Sequence, residues 1–118
     1  MQTIFVVDDN DVNLITAEKA LEGFYTVFTL PSAEAMFEFL DSIVPDLILL
    51  DIRMPKISGL DALNMLKASK YIDIPVIVLT GKHDPDTEAA VYKLGAVDFV
   101  LKPFVAEDLL ARIKAALA

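Results

Sequence analysis

Apolar residues recur along this chain in short runs, each ended by a polar residue. Ile4-Phe5-Val6-Val7 leads into Asp8-Asp9, Leu47-Ile48-Leu49-Leu50 into Asp51, Val76-Ile77-Val78-Leu79 into Thr80, and the stretch Val97 to Leu101 into Lys102-Pro103. Near-continuous Val, Ile, Leu and Phe over four or five residues is the signature of strands covered on both faces. Five strands are predicted, over 3–8, 25–30, 46–51, 75–80 and 96–101. The second differs from the rest. It alternates Tyr25, Val27 and Phe28 with Thr26 and Thr29, which suits a strand near the edge of a sheet.

Helical patterns lie between the runs. Asp11 to Glu22 ends at Gly23, a residue suited to a left-handed cap. Ser32 can cap a second helix whose Ala33, Met36, Phe37, Leu40 and Ile43 share one face. Leu60, Leu63 and Leu66 mark a third. Asp84-Pro85 reads as the cap and first residue of a fourth, stopping at Gly95. A fifth runs from about Val105 to the last residue, with Leu110, Ile113 and Leu117 facing in.

Strand–helix alternation repeated in this way predicts an α/β fold. It is a doubly wound, flavodoxin-like (βα)5 parallel sheet with helices on both faces and right-handed crossovers. The first strand is strongly apolar and belongs in the interior. An order of 2-1-3-4-5 then brings Asp8, Asp9 and Asp51 to one crevice, at the carboxyl edge where open α/β sheets place ligands. Residues 1–118 read as one domain, without repeat, linker or low-complexity segment.

Composition narrows the function classes. A net charge of −8 argues against direct nucleic-acid binding, which needs a basic face, and favours a cation or a partner with a basic or apolar surface. The absence of cysteine excludes a thiolate metal site and a thiol nucleophile. The first residues lack the pattern of a signal peptide, and no apolar run approaches a membrane span. A cytoplasmic protein without membrane contact is expected.

Three carboxylates, a hydroxyl and an ammonium thus converge at the strand ends. Two carboxylates at ~4 Å repel by roughly 4 kcal/mol at an effective dielectric of 20, so the group calls for protonation or a cation. Oxygen-only ligands suit a hard divalent ion, and Mg²⁺ takes one or two carboxylates while keeping several waters. Asp9 and Asp51 are the best direct ligands, with Asp8 beside them or acting through water. The plain alternative for Asp8-Asp9 is a solvated loop or helix cap. Asp51 ends the most apolar run, which holds it rigidly. Beside a metal and an amine it can attack phosphorus to form an aspartyl-phosphate, with Lys102 and Thr80 engaging the transferred oxygens.

Taken together, the residues resemble a response-regulator receiver domain of two-component signalling, over essentially the whole chain. The matching pieces are Val6-Val7-Asp8-Asp9, Leu50-Asp51-Ile52-Arg53-Met54-Pro55 with Gly59, Leu79-Thr80-Gly81, Gly95-Ala96-Val97-Asp98-Phe99 and Lys102-Pro103-Phe104. The resemblance implies a signalling switch that accepts a phosphoryl group on Asp51. The donor would be a phosphohistidine on a sensor histidine kinase or histidine phosphotransfer protein. It implies a Mg²⁺ site (Mn²⁺ as substitute) formed by Asp8, Asp9, Asp51 and the backbone carbonyl of Arg53. Thr80 and Lys102 would bind the phosphoryl group, Phe99 would occupy the aromatic switch position, Gly81 would leave space beside the phosphate, and Lys102-Pro103 would be cis. Self-phosphorylation and self-dephosphorylation are implied, without turnover of an independent substrate.

The same resemblance makes the fourth helix, fifth strand and fifth helix the surface that changes. That surface would serve a downstream effector or output domain, or a homodimer. Asp98 and Arg112 resemble dimerisation positions of one transcription-factor subgroup, the alternative being ordinary surface charge. Arg53 and Lys82, each two residues past a site residue, are expected to modulate water access, and His83 reads as a loop residue. Two other readings compete. One is a pseudo-receiver that binds partners without accepting phosphate. The other is a haloacid-dehalogenase-like phosphatase suggested by Asp9-Asn10-Asp11, opposed by the short chain and by the lack of an acidic pair closing the fourth strand.

Overall fold

A computed structural model describes residues 1–118. Five strands, β1 (Thr3–Val7), β2 (Thr26–Leu30), β3 (Leu47–Asp51), β4 (Val76–Thr80) and β5 (Asp98–Leu101), form one parallel sheet in the order β2-β1-β3-β4-β5. Helices α1 (Asp11–Leu21), α2 (Ala33–Leu40), α3 (Gly59–Lys67), α4 (Pro85–Lys93) and α5 (Ala106–Leu117) connect and follow them. The strand at one edge is β2, as its alternating threonines foretold. No helix is long and apolar enough to cross a membrane.

The central strands are apolar throughout because both faces are covered. Every residue of β3 and β4 is buried. Leu47 and Leu49 point with Ile4, Val6, Ile77 and Leu79 to one face, where Leu14, Ala17 and Leu21 of α1 and Leu109 and Ile113 of α5 cover them. Ile48 and Leu50 point with Phe5, Val7 and Val78 to the other, under α2, α3 and α4. Period-two alternation therefore feeds two cores from one strand.

The caps follow side-chain chemistry. Asn10, Ser32, Ser58 and Asp84 each accept a backbone N–H of the first helical turn. Gly23 and Gly95 take positive φ just beyond α1 and α4, so the predicted stop signals stand. Two expectations shift. In α5 the fully buried pair is Leu109 and Ile113, with Leu110 and Leu117 only packed against the core. The fifth strand begins at Asp98 instead of residue 96; Val97 just before it donates its N–H to Val76 O at 2.9 Å and is 49% exposed.

Gly59 has a different task. Its N–H donates to Ile52 O at 2.8 Å, pulling the start of α3 against the end of β3. A Cβ there would collide with Asp51 O and stand 2.5 Å from Ile52 Cα. Both are backbone, which cannot yield without moving the strand end. Gly59→Ala is expected to cost ~3 kcal/mol, read as a lowered urea midpoint with an unchanged slope. An unaltered midpoint would show that the β3–α3 junction is soft.

Candidate functional site

The parallel sheet aligns its strand ends at one edge. Val7 pairs with Leu50, so Asp8 follows beside Asp51; Asp51 pairs with Leu79 and Thr80 with Leu101. Asp8, Asp51 and Thr80 are the buried polar residues of the chain, 3%, 5% and 3% exposed, and Asp9 beside them is exposed. One oxygen from each of Asp8, Asp9 and Asp51 lies within 4.8 Å of the others. Lys102 reaches across from the end of β5, its Nζ donating to Asp8 Oδ2 at 3.0 Å and Asp51 Oδ1 at 3.2 Å. Its backbone N–H donates to Thr80 O at 2.7 Å, and the following Lys102-Pro103 peptide is cis.

These groups open into a cleft of about 500 Å³. Besides the three carboxylates and Lys102, Asn10, Asn13, Arg53, Gly81 and Pro103 line it. Thr80 Oγ1 sits 3.4 Å from both the N–H and the carbonyl of Lys82. The Lys82 side chain is exposed and does not line the cleft, because the chain bends away after β4 ends at Thr80. The Lys82 backbone lies next to Thr80 at the edge of the site. Asn10 and Asn13 were not singled out from the sequence. Their signal was there: a helix capped by Asn10 turns the residue three places on toward the same side.

Burial pushes the Asp51 carboxyl above its ordinary value of 3.8, and the neighbouring Asp8 adds to this, while Lys102 opposes it. A raised carboxyl means that the folded chain holds the Asp51 proton more tightly than the unfolded chain does. Its ionisation therefore costs nothing below the unfolded value and opposes folding once pH rises through the folded one. Metal-free Asp51→Asn is expected to be more stable than wild type at pH 7 by ~1 kcal/mol, a rise of ~4 °C in melting temperature. The difference should vanish near pH 3. A lower melting temperature at pH 7 would show that the Lys102 pair outweighs the crowding.

The donor set is chemically specific. Three carboxylates within reach of one point, with no nitrogen or sulfur ligand beside them, fit a hard divalent cation of the Mg²⁺ or Mn²⁺ type. Lys102 leaves Asp9 and one oxygen of Asp51 free for such an ion.

Residues 4–114 match the family described as "Response regulator receiver domain". The chain belongs to that family. It is 40% identical over 102 residues to a Vibrio cholerae protein named a probable cyclic di-GMP phosphodiesterase, covering 86% of this chain and 23% of that one. It is 37% identical over 116 residues to the transcriptional regulatory protein PrrA of Mycobacterium tuberculosis, covering 97% and 49%. The chain thus spans half or less of these relatives. The BeF3-activated DrrB receiver domain superposes with a TM-score of 0.90 at 32% identity, covering 99% of this chain and 97% of that one. A receiver domain is a signal-transduction module of two-component systems, and its flavodoxin-like sheet order is the one seen here. Family membership also answers the phosphatase alternative, since the match is to receivers.

On the far side of β5, Phe99 is buried and packs in the α2–α4 core. His83 stands edge-on to it, ring centroids 6.3 Å apart, and contacts Glu88 at 2.8 Å. Arg112 pairs with Asp98 at 2.8 Å and with Asp108 at 2.9 Å, so within one chain both candidate dimerisation residues already have partners.

Proposed function

We propose that this receiver domain is a switch operated by transfer of a phosphoryl group from a phosphohistidine to Asp51. The observation that carries this reading is the ammonium of Lys102 held 3.2 Å from a buried Asp51 carboxylate at the floor of an open polar cleft. In the transfer, an Asp51 oxygen bonds to phosphorus as the bond from phosphorus to the imidazole nitrogen breaks. The imidazole departs with its electron pair and takes a proton from solvent. Lys102, already fixed by two carboxylates, neutralises charge on the transferred oxygens without reorganising. The Thr80 hydroxyl, bound now only by long contacts to Lys82, is free to turn toward those oxygens. Asp8, Asp9, Asp51 and the carbonyl of Arg53 would hold Mg²⁺, or Mn²⁺ in its place, which when bound supplies charge neutralisation. Gly81 leaves the mouth open, and Arg53 is the cation placed at it to modulate water access.

The register supports a route outward. Val78 pairs with Phe99, and Thr80 lies two residues past Val78 on the same face. Movement of Thr80 toward a phosphate therefore changes the packing above Phe99, and through it the surface of α4, β5 and α5. The phosphoryl group adds about −1.5 to −2 charge to drive the change. That surface would meet an effector, an output domain or a second copy of the chain. Residues 1–118 would act as one unit in the cytoplasm, without binding nucleic acid themselves.

The test is transfer of label from a phosphorylated histidine phosphotransfer protein. Label is expected on wild type and absent from Asp51→Asn. Label that stays on the donor, or reaches the variant equally, would contradict the reading.

A further inference from the structure

Asn13 is the third residue of α1, half-buried, and it lines the cleft with Asp51 and Lys102. Its backbone N–H donates to Asn10 Oδ1 at 3.0 Å. That bond commits the Asn10 oxygen to the helix cap and leaves the Asn13 carboxamide without a partner in the protein. The other polar groups of the cleft are spoken for or of the wrong kind. Lys102 is held between Asp8 and Asp51, the Arg53 guanidinium can only donate, and the three carboxylates converge on the cation they would hold. The carboxamide of Asn13 offers one acceptor and two donors without charge.

Loss of a phosphoryl group from Asp51 requires a water in line with the bond that breaks. Asp51 is 5% exposed while Asn13, only half-buried, lines the same cleft, so water reaching Asp51 from the open side passes a cleft wall that Asn13 helps to form. We propose that Asn13 positions this attacking water, its side-chain oxygen accepting a hydrogen bond from it, and so sets the lifetime of the phosphorylated state. The water oxygen bonds to phosphorus, the bond from phosphorus to Asp51 breaks, and its electron pair returns to the carboxylate. The proton of the water passes to the departing phosphate. Asn13 neither gains nor loses a proton. This inference rests on Asp51 being the phosphoacceptor.

The full chain is phosphorylated with acetyl phosphate and Mg²⁺, freed of donor, and its decay followed by intact mass for wild type, Asn13→Leu, Asn13→Ala and Asn13→Gln. Loss of one neutral hydrogen bond from the transition state slows decay about fivefold in the Leu and Ala variants, with Gln between them and wild type. Affinities for Mg²⁺ and for beryllofluoride, which occupies the phosphoryl position without an attacking water, stay at their wild-type values, as does the melting temperature. Unchanged or faster decay would overturn the proposal. So would slower decay accompanied by loss of beryllofluoride affinity, which would mark general damage to the cleft. A wild-type chain that takes up no phosphoryl group would instead overturn the reading beneath it, and this inference with it.

Discussion

Lys102→Met slows phosphorylation of Asp51 by acetyl phosphate about a hundredfold at saturating Mg²⁺, the usual scale for removing one preorganised charged donor from a transition state. Methionine keeps the apolar stem, so the change isolates the ammonium. Lys102 Nζ lies 3.0 Å from Asp8 and 3.2 Å from Asp51, with only 15% of the side chain exposed. Its charge therefore acts where water screens it little. The same substitution leaves the three carboxylates without a fixed counter-ion, so Mg²⁺ binds more tightly while transfer is slower. Opposite signs for metal affinity and rate separate a loss of transition-state stabilisation from a loss of folding. A rate within the wild-type range across a Mg²⁺ titration would remove Lys102 from the chemistry.

Chelation abolishes phosphorylation outright, and Asp9→Asn raises the Mg²⁺ concentration for half-maximal rate by at least about tenfold. Asp9 is the exposed member of the trio and makes no ion pair with Lys102, so its replacement removes a ligand without freeing the ammonium. The melting temperature of metal-free Asp9→Asn should be equal to or above that of wild type, since one of three crowded charges is gone. Mn²⁺ should restore the rate after chelation, as expected for oxygen ligands. Equal rates in chelator and in Mg²⁺ would contradict the metal site.

Much of this arrangement was legible in the residues, for physical reasons. The strands β3 and β4 announce themselves because no polar side chain can enter a sheet covered on both faces. Asp8 and Asp51 share a crevice once the order 2-1-3-4-5 sets β1 beside β3. The face of α5 was less legible. Leu109 and Leu110 are adjacent and equally apolar, so the phase of the helix is decided by packing against α1 and β3, which the local pattern does not contain. The start of the last strand was blurred in the same way by Ala96 and Val97, apolar residues outside the sheet. Asn13 was not foreseen at the cleft: the cap at Asn10 set the start of α1 and so turned Asn13 toward it. Helix phase is a tertiary quantity, and it fell where the sequence carries the weakest signal.

Intact-mass spectrometry after incubation with Mg²⁺ and acetyl phosphate tests the central claim most directly. The wild-type chain should gain the mass of one phosphoryl group, lose it again once the donor is removed, and gain nothing when Asp51 is replaced by asparagine. No gain, or a gain that survives in Asp51→Asn, would contradict the account and leave a receiver fold that binds partners without being phosphorylated at this site.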